Sequence, residues 1–196
     1  MDTNNPQTWV IAVILVVALI AAGYLIAREQ RRAQSRRLHQ RFGPEYERVV
    51  DEHGDRTKAE SELRAREKRV ERLTIVPLAP ADAARFSQAW GVLQSRFVDN
   101  PKGVVTEADR LVRDLMVKRG YPMGDFERRA ADISVDHPAL VETYRSAQAI
   151  AVRDQRGDAG TEELRKAVVY YRTLFDELLE VRSARQATET NTVVQS

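Results

Sequence analysis

The chain of 196 residues contains no cysteine, so it can form neither disulfide bridges nor thiolate sites. This absence agrees with a reducing compartment, although many exported domains also lack disulfides. Aromatic residues are scarce as well, at 7% of the chain, whereas charged residues make up 31%. That balance favours amphipathic helices over a β-rich core, and we therefore expect an all-α protein.

Histidine is also rare, with only His39, His53 and His137 in the chain. None of them pairs with another histidine at helical spacing, and the sequence holds neither an HExxH motif nor a glycine-rich phosphate loop. An enzyme needs a nucleophile and a base brought together, or a metal cluster. We therefore predict no catalytic residues, no metal and no cofactor, and we favour a protein that is not an enzyme.

One alternative stays open around His137. Asp136 precedes it and Glu142 follows five residues later, which could form a carboxylate–imidazole arrangement. The structural interpretation is that Asp136 caps a helix start and that Pro138 occupies the first turn, where its missing donor does no harm. We prefer the structural interpretation and keep a membrane-tethered enzyme or small-ligand-binding domain as the alternative function.

The longest uncharged run extends over nineteen residues from Trp9 to Ala27. At 1.5 Å per residue, a helix of this length covers about 28 Å, close to the roughly 30 Å hydrocarbon core of a bilayer. Residues 1–8 precede it with Asp2 as their only charged side chain. The sequence predicts one transmembrane helix over 9–27, with residues 1–8 as a short extracytoplasmic N-terminus.

Six arginines follow this run within fourteen residues, and we call them the arginine collar. They are Arg28, Arg31, Arg32, Arg36, Arg37 and Arg41. Positive flanks remain on the cytoplasmic side, which predicts a single-pass cell-membrane protein with residues 28–196 in the cytoplasm. The collar either contacts anionic lipid headgroups or serves only as a topology signal. Its closeness to the bilayer argues against a nucleic-acid partner.

Two other interpretations of the uncharged run fit its flanking residues and its faces less well. A cleaved signal peptide could use the small residues Ala21-Ala22-Gly23, but it would need positive charge before the apolar region. A helix buried in a soluble core would normally show a polar stripe, and this run has none. The transmembrane anchor is therefore preferred.

Residues 28–79 are predicted to form a basic juxtamembrane region and a charged helical spacer. Gly43-Pro44 and Gly54 interrupt this region, and the segment 56–73 is rich in strong helix formers with few apolar positions. Leu63 and Val70 are seven residues apart, but Arg66 occupies the position between them that a coiled-coil seam requires to be apolar. We expect a solvated spacer rather than a coiled coil.

Five amphipathic segments separated by Pro or Gly turns predict a compact helical domain over 80–182. The stripe of helix 81–98 comprises Phe86, Ala89, Trp90, Leu93 and Phe97, and that of the last helix, from Thr161, comprises Leu164, Ala167, Val168, Tyr171, Leu174, Phe175, Leu178 and Leu179. Gly91 predicts a tight helix contact beside Trp90, and Thr106 to Asp109 resembles a capping box. Residues 183–196 are polar and predict a disordered tail.

The stretch QSRFVDNPKGVVTEADRLVRDLMVKRGYP at 94–122, with YERVVDEHG near the collar and DHP at 136–138, carries a family resemblance. It resembles an uncharacterised family of bacterial single-pass membrane proteins with a helical cytoplasmic domain, over most of residues 42–182. The resemblance implies a bacterial, membrane-anchored helical protein. It implies no activity and no site residues, because the family has no assigned activity.

The anchor, the charged spacer and the lack of a catalytic constellation together favour an interaction protein. We expect a membrane-anchored helical interaction module, an adaptor or scaffold, that presents its domain to an unknown protein partner.

Overall fold

The computed structural model describes the backbone of residues 6–193 and the side chains of residues 15–179. Every regular element in the described backbone is a helix, which confirms the all-α prediction. The helices are α1 (Pro6–Phe42), α2 (Pro44–His53), α3 (Arg56–Val70), α4 (Pro80–Ser95), α5 (Pro101–Arg119), α6 (Phe126–Asp136), α7 (Pro138–Gln155) and α8 (Thr161–Val193). The tail predicted over 183–196 lies outside the residues whose side chains are described.

The chain divides into two compact units, Met1–Arg41 and Phe42–Ser196. The first unit consists largely of α1, whose large apolar side chains from Leu15 to Ile26 are exposed, with Leu19 73% accessible, whereas Leu38 is buried. Among the residues that the structure describes, no helix has a stretch long and apolar enough to cross a membrane. Residues 9–14 of the predicted span lie outside the described side chains, and the transmembrane helix stays a prediction.

In the second unit, α2 and α3 form a helical pair that we call the α2–α3 hairpin. Gly54 closes α2 in the left-handed conformation (φ +61°), and Asp55 caps α3 by accepting the backbone N–H of Lys58 at 2.8 Å. Ala59 and Leu63 of α3 are fully buried. The segment 56–73 therefore differs from the solvated spacer expected from its sequence, because its few apolar side chains pack where α3 meets α2 and α6.

Helices α4 to α8 form a bundle around one apolar cluster, whose members extend from Leu78 to Leu178. α8 packs against both α5 and α7, and seven of the eight stripe residues predicted for it are buried. Trp90 of α4 is 1% exposed and lies 4.7 Å from the Phe175 ring, measured between ring centroids. The interpretation of Trp90 as a core residue is confirmed.

The start of α5 differs from the prediction. Asn100 is its N-cap and accepts the backbone N–H of Gly103 at 3.0 Å, and Pro101 occupies the first helical position. The capping box expected at Thr106–Asp109 was therefore wrong, since those residues lie inside the helix. Asp109 instead forms an ion pair with Arg113 at 2.9 Å.

Two glycines of the bundle have different roles. A Cβ added at Gly91 would meet nothing within 4 Å, so the predicted tight contact there was wrong. At Gly120, φ is +97° and an added Cβ would lie 2.3 Å from the carbonyl oxygen of Thr74. Beside it, the Val76 N–H donates to the Arg119 carbonyl at 2.9 Å. Gly120 thus lets the link between hairpin and bundle lie against the end of α5.

Candidate docking groove

The arginine collar lies on α1, where five of its members are exposed and Arg41 is half-buried. Arg36 donates to the Glu29 carboxylate at 3.0 Å. At about 100° per residue, the six positions spread around the helix rather than along one face. The collar therefore forms a positive ring on α1, not a pocket for one ligand.

His137 is not paired with Glu142 as the alternative interpretation required. It lies at the junction between α6 and α7, and its Nδ1 is 3.3 Å from the Glu177 carboxylate of α8. Asp136 is the last residue of α6, so its expected role as the cap of the next helix was also wrong. Glu142 is exposed. The three residues do not converge on a common site.

The most concentrated charge in the second unit surrounds Glu45 of α2, which is 4% exposed. Arg48 donates to both of its carboxylate oxygens, at 2.7 and 2.8 Å. Arg66 of α3 donates to the same carboxylate at 2.9 Å, and Arg145 of α7 approaches it to 3.6 Å. One buried carboxylate thus joins three helices, and we call this group the Glu45 cluster.

Two opposing influences act on the pKa of Glu45. Burial favours the neutral acid and acts to raise the pKa, whereas the hydrogen bonds and charges of Arg48, Arg145 and Arg66 act to lower it. The arginines prevail, so the pKa of Glu45 lies below its usual value. A carboxylate held ionised by three cations is poorly suited to accept a proton in catalysis. Its role is to hold the hairpin on the bundle.

A second buried ion pair joins the hairpin to α6. Arg69 of α3 donates to the Asp132 carboxylate at 2.7 Å, and Asp132 is fully buried. Near it, burial together with the charge of Asp136 raises the pKa of Tyr121 to about 12. A phenol with so high a pKa stays neutral at physiological pH, so this region also serves packing rather than proton transfer.

In the part of the chain whose side chains are described, no group of three or more histidine, aspartate or glutamate residues is placed to hold a metal ion.

An open groove with an apolar floor lies between α4 and α5, and we call it the α4/α5 groove. It comprises two adjoining cavities of about 570 and 460 Å³. Its lining residues are Arg85, Phe86, Gln88, Ala89, Val92 and Leu93 from α4, Arg96 at the C-cap of α4, and Glu107, Arg110, Leu111, Asp114, Val117 and Lys118 from α5.

Ion pairs at its two ends show that the helices forming the groove are antiparallel. At one end Arg96 pairs with Glu107, its Nη1 donating to the carboxylate at 3.2 Å. At the other end Lys118 lies 3.0 Å from Asp82, which also pairs with Arg85 at 3.2 Å. Ion pairs thus join α4 to α5 at both ends of the groove, and the space between the two ends is open.

The floor of the groove is apolar. Val92 is 54% exposed and Val117 is 46% exposed, and Ala89 and Leu111 lie between them. Ala89 was predicted in the buried stripe of α4 but is exposed, and Val92 was not predicted as a site residue. A signal was present, because Val92 lies three residues after Ala89 and widens the apolar face of α4 beyond what the core covers.

Comparison of the chain with protein-family models, with curated proteins and with solved structures found no match.

Proposed function

We propose that this protein is a membrane-anchored helical interaction module, an adaptor or scaffold that uses its bundle to bind another protein. The observation that carries the proposal is the α4/α5 groove, whose apolar floor is exposed between two charged ends. Accessible apolar surface rimmed by polar residues is typical of protein-binding sites. Grooves between helices commonly accept a partner's helix.

The charged residues of the second unit support a binding role over a catalytic one. The buried charges are used between helices, as in the Glu45 cluster and in the Arg69–Asp132 pair. His137 is engaged by Glu177. The groove, by contrast, offers surface rather than reactive groups. These observations favour a protein that binds a partner over one that catalyses a reaction.

The membrane anchor in this proposal rests on the sequence. The run from Trp9 to Ala27 has no charged residue, and the arginine collar follows it directly. In the described part of that run, apolar side chains from Leu15 to Ile26 are exposed, as expected for a helix that contacts lipid. Anchoring would raise the local concentration of the bundle near membrane partners.

Crosslinking tests the interaction role. A lysine-reactive crosslinker is applied to membranes from cells producing the full chain, and adducts are compared with those of a chain lacking residues 80–182. We expect a specific adduct that disappears with the deletion. Identical adduct patterns for the two chains would contradict the proposal.

Reporter fusions test the topology. A fluorescent protein fused after Ser196 should fluoresce and alkaline phosphatase fused there should be silent, because the collar retains the C-terminus in the cytoplasm. An active phosphatase fusion would reverse the orientation. A mature N-terminus near Gly23 or Tyr24 would show cleavage instead of an anchor.

A further inference from the structure

We infer that the occupant of the α4/α5 groove is an amphipathic helix of a different protein, with acidic residues beside its apolar stripe. This inference rests on the proposed function and specifies the chemistry of the partner.

The charges along the groove favour an acidic ligand. At the Asp82 end, Arg85 and Lys118 share one carboxylate, which leaves one positive charge uncompensated there. About one turn from the Glu107 end, Arg110 is 79% exposed and its Nε lies 3.9 Å from Asp114, at the outer limit of an ion pair. Arg96 pairs with Glu107 at the other end, so the four cations of the groove face three carboxylates, Asp82, Glu107 and Asp114. Acidic residues on the ligand would meet Arg110 and the Asp82 end.

The length of the groove matches a short helix. Its α5 wall extends from Glu107 to Lys118, which is about 16 Å at 1.5 Å per residue. That length corresponds to three helical turns, enough for apolar anchors at i, i+3 or i+4, and i+7. Val92 and Val117 lie at different points along the floor and would contact different turns of the ligand.

Site-specific photocrosslinking tests the inference in the full-length chain. The photoreactive residue p-benzoylphenylalanine replaces Val92 in the groove. It replaces Val169 in a matched control, because Val169 is an equally exposed valine on α8. Adducts formed in membranes of the producing cells are digested, and the linked segment is sequenced by mass spectrometry. We expect Val92 to capture an acidic amphipathic segment that Val169 does not capture.

A charge variant tests whether the positive side chains of the groove attract acidic residues of the ligand. The double substitution R85Q and K118Q should lower the yield of that adduct about five-fold at physiological salt, because exposed charge pairs each contribute modestly to binding. The double substitution R165Q and K166Q on the exposed start of α8 should leave the yield unchanged. Melting curves of both variants report whether the fold is retained.

The outcomes separate the inference from the proposed function. A linked segment from a second copy of this chain, from its own residues 180–196, or from a basic protein segment overturns the inference. So does an adduct at Val169 without one at Val92, although a protein partner captured there leaves the interaction role standing. If neither position captures a protein and the lysine crosslinker finds none, both the inference and the proposed function fail.

Discussion

Gly120 and Gly91 are both glycines of the bundle, yet only the first is required by its surroundings. At Gly120 the backbone is left-handed and an added methyl group would collide with the carbonyl of Thr74. At Gly91 the backbone is helical and the space beside it is open. The sequence alone does not distinguish them, because the distinction depends on which segment lies against each one.

The two glycines therefore predict opposite effects of the same substitution. Gly120→Ala should lower the free energy of unfolding by about 2 kcal/mol or more, since both the backbone conformation and the Thr74 carbonyl oppose a side chain. Gly91→Ala should raise it by roughly 0.5–1 kcal/mol, because alanine is the better helix former. Chemical denaturation measures both. Equal destabilisation by the two substitutions would contradict the assignment.

Trp90 is the largest side chain among the fully buried ones, packed against Phe175 with the Arg172 guanidinium over its ring. Trp90→Ala should destabilise the second unit by roughly 3–5 kcal/mol, because it removes a large apolar side chain and leaves a cavity. Denaturation followed by circular dichroism measures this, with Val98→Ala as a control at a position that is 89% exposed. A change near zero for Trp90→Ala would place the indole on the surface.

Among the elements, amphipathic stripes were the most predictable feature. Seven of the eight α8 stripe residues, and Phe86, Trp90 and Leu93 of α4, are buried where a helical period predicted them. The start of α5 was mispredicted because Thr106 to Asp109 resembles a capping box, although Asn100 and Pro101 upstream also favour a helix start. The hairpin was missed because α3 alone has too few apolar residues to indicate packing, and its complement lies on α2.

The Glu45 cluster predicts an acid-sensitive contribution to stability. The pKa of Glu45 is lowered in the folded state, so its contribution is present above pH 4.5 and is lost as the pH falls further through the folded-state value. Glu45→Ala should cost about 3 kcal/mol at neutral pH, because it leaves Arg66 buried without that partner.

The pH dependence of the difference between variants checks this assignment. The gap in melting temperature between the wild-type protein and Glu45→Gln should narrow between pH 7 and acidic pH, as the wild-type carboxyl becomes protonated. Glu142→Gln, at an exposed position on α7, should show no such convergence. A gap for Glu45→Gln that stays constant down to pH 3 would show that the charge of Glu45 is not what stabilises the hairpin.

At the scale of the whole second unit, the apolar cluster of the bundle extends from Leu78 to Leu178 and contains no residue of the α2–α3 hairpin. The hairpin packs against α6 and α7 outside this cluster, and the ion pairs Glu45–Arg145 and Arg69–Asp132 join it to them. The sequence could not predict this arrangement, because the partners are up to a hundred residues apart and each looks like an ordinary surface charge.

Hydrogen exchange should therefore resolve two levels of protection. Amides of α2 and α3 should exchange through a partial opening of lower free energy than those of α5 and α8, because fewer apolar contacts must break. Mass spectrometry of peptides from the native full-length chain measures the rates. Asp132→Asn should raise exchange in α3 more than in α8. Uniform protection across both regions would show that the hairpin and the bundle open together.

The segment that links the hairpin to the bundle also determines where a recombinant fragment of the bundle should begin. Leu78 is buried in the bundle core, Ile75 packs against that core, and Val76 is hydrogen-bonded to the end of α5. A recombinant fragment that begins at Pro80, the start of α4, discards all three and leaves the Gly120 region without its cover. One that begins near Arg72 retains them. For crystallisation or partner screening of the isolated bundle, the N-terminal boundary belongs before Thr74.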